Sequence, residues 1–175
     1  MPLPPPPSSP PPPCPASRES LSCNRDFLQS LLGGLRIAQL LSGAICWVTL
    51  AAHKYEGATY FAVFAAVLVW LLTLVIFGLS LLGRWSLVPV LGTRWLLTNI
   101  VHDLFFGVIL FTAAAGIMGH KAQWFSYCNL PHYPHPCSYG AYVTAAVFAG
   151  IAAFLYLLSG FYCLARRFQG HQDIN

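Results

Sequence analysis

Long apolar runs separated by shorter, more polar breaks set the pattern of this chain. The longest, Ala58–Leu82, contains no charge and no proline. As a helix it would rise about 37 Å at ~1.5 Å per residue, enough to cross a hydrocarbon core of ~30 Å with some tilt. It lacks the period-two alternation of a barrel strand, so a helix is the form that satisfies its backbone in lipid. Three comparable runs cover about Leu31–Ala52, Trp95–Met118 and Gly140–Ala165. The pattern therefore predicts an all-α membrane protein with four transmembrane helices. The break at His53–Gly57 is so short that spans one and two form a tight antiparallel hairpin. The breaks at 83–94 and Gly119–Tyr139 are longer and carry proline.

Composition agrees with a lipid environment. The chain has 175 residues, 57% hydrophobic and 8% charged, where soluble domains average about 25% charged. The net charge of +4 is scattered, with no basic stripe for nucleic acid, so the partner it implies is the bilayer. Arg18, Arg25, Arg36, Arg84, Arg94, Arg166 and Arg167 fall on one side of the four spans, Lys54 and Lys121 on the other. Basic residues concentrate in cytoplasmic loops, so both termini are expected in the cytosol and the loops at 53–57 and 119–139 outside it.

The ends are different in kind. Residues 1–26 read as a Pro-rich disordered tail opening MPLPPPPSSPPPPCPA, and 168–175 as a short tail. Proline fixes φ and removes a backbone donor, so the first stretch favours extended polyproline II. It has no basic-then-apolar leader pattern, which leaves the first span to act as an uncleaved signal anchor. Its P-x-x-P registers suit SH3 or WW modules, although no Arg or Lys lies within the run to fix a docking direction. A plain tail without a partner is the alternative.

Candidate chemistry is sparse. No nucleophile elbow, phosphate-cradling loop or paired carboxylates occur, and Asp plus Glu total 5, so no enzyme and no cofactor are expected. His132 and His135 lie near Cys128 and Cys137, but that loop offers no carboxylate. In the outward loop the two cysteines point to a disulfide and not to zinc thiolates. Cys14, Cys23 and Cys163 fall on the cytosolic side. Cys163, at the mouth of span four, is a palmitoylation candidate, or else an inert thiol, and Cys46 is a small apolar filler.

The polar residues inside the spans say more. A charge at a helix centre costs roughly 2.5–3.5 kcal/mol on insertion scales, so Asp103 calls for a partner. Arg36 lies about 7 Å into span one and Asp103 about 12 Å into span three, both from the cytosolic side. A long arginine bridges that offset. Asn99 and Asp103, spaced i and i+4, share a face and meet Arg36 together with Gln39. This cluster reads as a lock on helix packing. The competing reading is an ion or proton relay in a channel or transporter subunit, using Asn99, His102 and Asp103.

Four segments carry a family likeness: GLRIAQL (34–40), LVPVLGTRW (87–95), SYCNL (126–130) with Cys137, and LYLLS (155–159). With a very short first outer loop and a longer, Cys-paired second one, they resemble the MARVEL tetraspan family over about residues 27–170. The resemblance implies a MARVEL four-helix domain at 27–167. It also implies a non-enzymatic role in membrane apposition, vesicle trafficking or junction organisation, at the plasma membrane or on vesicles, with other tetraspans or a second copy as partners. The closer match within the family implies links to the cytoskeleton and the nucleus and effects on proliferation. A claudin would need a long first outer loop and a tetraspanin a Cys-Cys-Gly motif in a larger outer domain, and neither is present.

Overall fold

The computed structural model describes residues 30–53, 57–82, 95–126 and 139–169. Regular structure in these residues is helical throughout: α1 (Leu31–Ala51), α2 (Ala58–Leu82), α3 (Trp95–Trp124) and α4 (Tyr139–Phe168). All four are long and apolar enough to span a membrane. The Ser30 side chain caps α1 by accepting the Gly33 N–H at 3.1 Å, which satisfies one orphan donor of the first turn. Gly57, at φ 57°, makes the left-handed step before α2.

The helices form a ring in chain order, with α1 against α2 and α4, and α3 against α2 and α4. At the end where α1 and α3 begin, Leu32, Leu96, Ile100 and Cys163 cluster. At the opposite end, Leu50, Ala62, Ala122 and Tyr142 belong to a larger cluster centred on Phe111, Met118 and the α4 alanines. The α2–α3 contact is concentrated in the half of α3 from Ile109 to Trp124. Toward the termini the two helices splay around an apolar groove of about 430 Å³.

The buried seams explain the ring. On α2 they are Thr59, Ala62, Ala66, Val69, Thr73, Ile76 and Ser80, and on α4 Tyr142, Ala145, Ala149, Ala152, Tyr156, Ser159 and Cys163. Steps alternate between three and four residues, the heptad spacing of a left-handed bundle. Large side chains such as Phe64, Leu71, Phe154 and Phe161 face outward instead. That inversion suits lipid, where close backbone approach and van der Waals contact, not exclusion from water, drive helix association.

Helix α3 departs from the heptad. Asp103, Gly107 and Phe111 are buried in successive steps of four, and an α-helix of 3.6 residues per turn drifts by about 40° at each such step. His102–Val108 is a π-helical segment, whose wider i→i+5 turn absorbs the drift. It keeps all three residues on α4. A Cβ on Gly107 would lie 2.8 Å from Tyr156 Cβ, so the bare glycine allows the two backbones to close.

Helix bounds differ from expectation at two ends. α3 continues past Met118 to Trp124, because 119–124 holds no proline, the cost of Gly119 is small, and buried Ala122 prolongs the seam toward Phe125, whose ring stacks on Tyr142 at 5.7 Å. α4 continues past Ala165 to Phe168. Arg166 donates to the Tyr162 hydroxyl at 3.2 and 3.0 Å, and the Arg166–Arg167 pair suits the negative end of the helix dipole.

Candidate functional site

Between the two clusters lies a layer of buried polar side chains drawn from all four helices. Arg36 of α1 is 1% exposed and Asp103 of α3 is 0% exposed. Arg36 Nη1 donates to Asp103 Oδ1 at 2.6 Å and Nη2 to Oδ2 at 3.1 Å, the two-pronged geometry that gives Arg–carboxylate pairs their strength. Nη1 also donates to Gln39 Oε1 at 2.9 Å and Nη2 to Asn99 Oδ1 at 2.5 Å. Gln39 donates onward to the Leu155 carbonyl of α4 at 3.2 Å, and Asn99 to the Trp95 carbonyl at 3.0 Å. The structure thus brings together Arg36, Gln39, Asn99 and Asp103.

Asp103 accepts two further bonds, from Ser159 Oγ to Oδ2 at 2.6 Å and from His102 Nδ1 to Oδ1 at 2.9 Å. Its two oxygens offer about four lone-pair sites, and all four are engaged. His102 Nε2 faces Thr73 Oγ1 at 3.4 Å, and Thr73 Oγ1 lies 2.5 Å from the Tyr156 hydroxyl and donates to the Val69 carbonyl at 2.8 Å. The layer therefore spans both diagonals of the ring. Arg36 reaches from α1 to Asp103 on α3, and Tyr156 from α4 to Thr73 on α2. Arg36 and Asp103 cancel in charge. Among the described residues, Trp47 Nε1 alone of the buried side-chain nitrogens and oxygens lacks a partner, so the layer is closed on itself.

The family model for the membrane-associating domain MARVEL matches residues 27–162. The chain belongs to the MARVEL family. It is 50% identical over 149 residues to MARVEL domain-containing protein 1 of Danio rerio, an alignment covering 85% of this chain and 91% of the relative. No solved structure matches the chain. With four apolar helices in the matched region, it is a multi-pass membrane protein.

The MARVEL domain hides several members of the layer from sequence reading. Thr73, Tyr156 and Ser159 are single hydroxyls in apolar stretches, and the one hint is that all three fall on the heptad seams of α2 and α4. His102 takes part through both ring nitrogens. Cys163 is 0% exposed among Leu32, Leu96 and Ile100, so acylating its thiol would require that packing to open. Cys46 is likewise buried. Cys14, Cys23, Cys128, Cys137, His132 and His135 lie outside the described residues. Among the described residues no cluster of His, Cys, Asp and Glu is arranged to hold a metal ion.

Proposed function

We propose that this MARVEL chain is a non-enzymatic scaffold that organises membrane regions, in vesicle trafficking or at junctional contacts. One observation carries the reading: the polar groups of the spans bind one another in a closed, charge-neutral layer, while large apolar side chains face outward. A closed layer positions helices and leaves no row of polar groups leading across the bundle. The same reading places both termini in the cytosol, bridges Cys128 to Cys137, and gives the Pro-rich tail to SH3 or WW partners. It also includes other tetraspans or a second copy as partners, and the cytoskeletal link and influence on proliferation that the resemblance implies.

Proximity labelling from the N-terminus in living cells tests the scaffold. Neighbours enriched in integral membrane, junctional or vesicle proteins are expected. A neighbourhood of soluble enzymes alone would overturn it. Reconstituted liposomes test the channel reading, for which ion flux abolished by Asp103→Asn with the fold intact would be required. Impermeant maleimide should reach Cys14 and Cys23 only after permeabilisation, and non-reduced peptide mapping should recover Cys128 joined to Cys137.

A further inference from the structure

Among the described residues the ring of helices has one open side, and only over one half of its length. Helix α4 packs along the whole of α3, whereas α2 meets α3 chiefly from Ile109 to Trp124. In the other half the splayed pair leaves the groove of about 430 Å³, walled by Leu72, Val75 and Leu79 of α2 and by Trp95, Val101 and Phe106 of α3. Its deepest lining residues are Leu72, ten residues before the end of α2 at Leu82, and Phe106, eleven residues after the start of α3 at Trp95. Both lie about 15 Å from those helix ends at ~1.5 Å per residue, half of a hydrocarbon core of ~30 Å. The groove therefore runs parallel to the helices and is one leaflet long.

We infer that this groove is a binding site for one acyl chain of a phospholipid, drawn from the leaflet on the side where α3 begins. The groove is continuous with the lipid-facing surface of the bundle: Leu72, Val75, Val101 and Phe106 line it and are also among the exposed apolar side chains. A chain already lying on that surface enters sideways and crosses no polar barrier. Tryptophan favours the headgroup level, so Trp95, the first residue of α3, marks the wide end where the headgroup stays outside. The polar side chains of the walls have no bond to spare for an occupant. Both ring nitrogens of His102 are engaged, by Asp103 and by Thr73, and Thr98 is engaged as well. A sterol brings a hydroxyl and a stiff ring system to walls ridged by branched side chains, whereas an acyl chain brings neither and follows the ridges. A second copy of the chain would cover α2 and α3 along their full length, whereas the groove stops at half of it. Left empty, the walls lose their dispersion contacts on one side. A chain between two walls touches more atoms than a chain on the convex outside, and it seals the edge of the polar layer at His102.

Native mass spectrometry of the full chain, released from nanodiscs of phosphatidylcholine and cholesterol, tests the site. One phosphatidylcholine per chain is expected to remain after the surrounding lipids are stripped. Val75 and Val101 lie on opposite walls, seven residues before Leu82 and six after Trp95, so Val75→Phe with Val101→Phe fills the groove at one depth. That variant should retain several-fold less lipid, whereas Phe161→Leu, on the outward face of α4 in the same half, should retain as much as the wild type. A wild type that keeps no lipid, cholesterol in its place, or a second copy instead of either overturns the inference. A filled variant that keeps as much phosphatidylcholine as the wild type does so too. If the filled variant does not fold, phosphatidylcholine with a diazirine at mid-chain decides the question on the wild type. Crosslinks should concentrate several-fold on residues 72–79 and 97–106 over Leu41 and Phe161, which face lipid in the same half of the bundle. Even labelling of the two sets overturns the site.

Discussion

The two halves of the bundle are held together by different means. In the half away from the termini, Ala62, Ala66, Ala114, Ala145, Ala149 and Ala152 are all at or below 1% exposure. They let the backbones close around Phe111, Met118 and Tyr156, and Phe111 stacks on Tyr156 with centroids 5.5 Å apart. In the half nearer the termini α2 and α3 part, the apolar cluster shrinks to Leu32, Leu96, Ile100 and Cys163, and the charged layer lies at its boundary. Lipid tails are as apolar as leucine, so burying leucine gains little there. Helices in a bilayer cohere either by approaching closely or by bonding polar groups that lipid would leave unpartnered. This chain uses the first in one half and the second at the boundary of the other.

Breaking the polar layer should have the largest effect. Arg36→Leu strands Asp103 in a dry core, at a cost on the order of 3–5 kcal/mol, whereas replacing both members of a buried pair is often nearly neutral. The double variant Arg36→Leu with Asp103→Leu should recover much of the folded yield lost by Arg36→Leu alone, read by fluorescence size exclusion in mild detergent. A double variant as poor as the sum of the singles would show that the two residues are not coupled. The close-packed half comes next. Gly107→Ala places a Cβ against the body of Tyr156, and overpacking of this kind costs about 1–3 kcal/mol. Gly150→Ala, where nothing lies within 4 Å, should leave the thermal midpoint unchanged.

A smaller loss is expected from Tyr156→Phe, which keeps the Phe111 stack and removes the bond to Thr73. Net hydrogen-bond contributions of about 0.5–1.5 kcal/mol set its scale, read as a lowered thermal midpoint in nanodiscs. The lipid face should be nearly silent. Phe64→Leu, at a position 63% exposed, should change stability by less than about 0.5 kcal/mol. A large loss at Phe64 would mean that the outward surface of α2 is covered by something other than lipid.

The sequence alone determined the four spans, because length, scarce charge and missing proline are local properties and lipid thickness turns them into a count of helices. It also pointed to the Arg36–Asp103 pair: depth along a helix follows from residue number, and a lone buried acid demands a base. The i, i+4 spacing carried Asn99 along with Asp103. What the tertiary structure decided is which helices stand diagonally opposite one another. Only that arrangement brings Thr73 of α2 to Tyr156 of α4 and sets Ser159 on Asp103. It decided the π segment as well, since a drift of phase in α3 matters only once α4 has a fixed seam to follow. A single hydroxyl in an apolar helix costs little by itself and leaves no local mark, so its role exists only in the partner that another helix delivers.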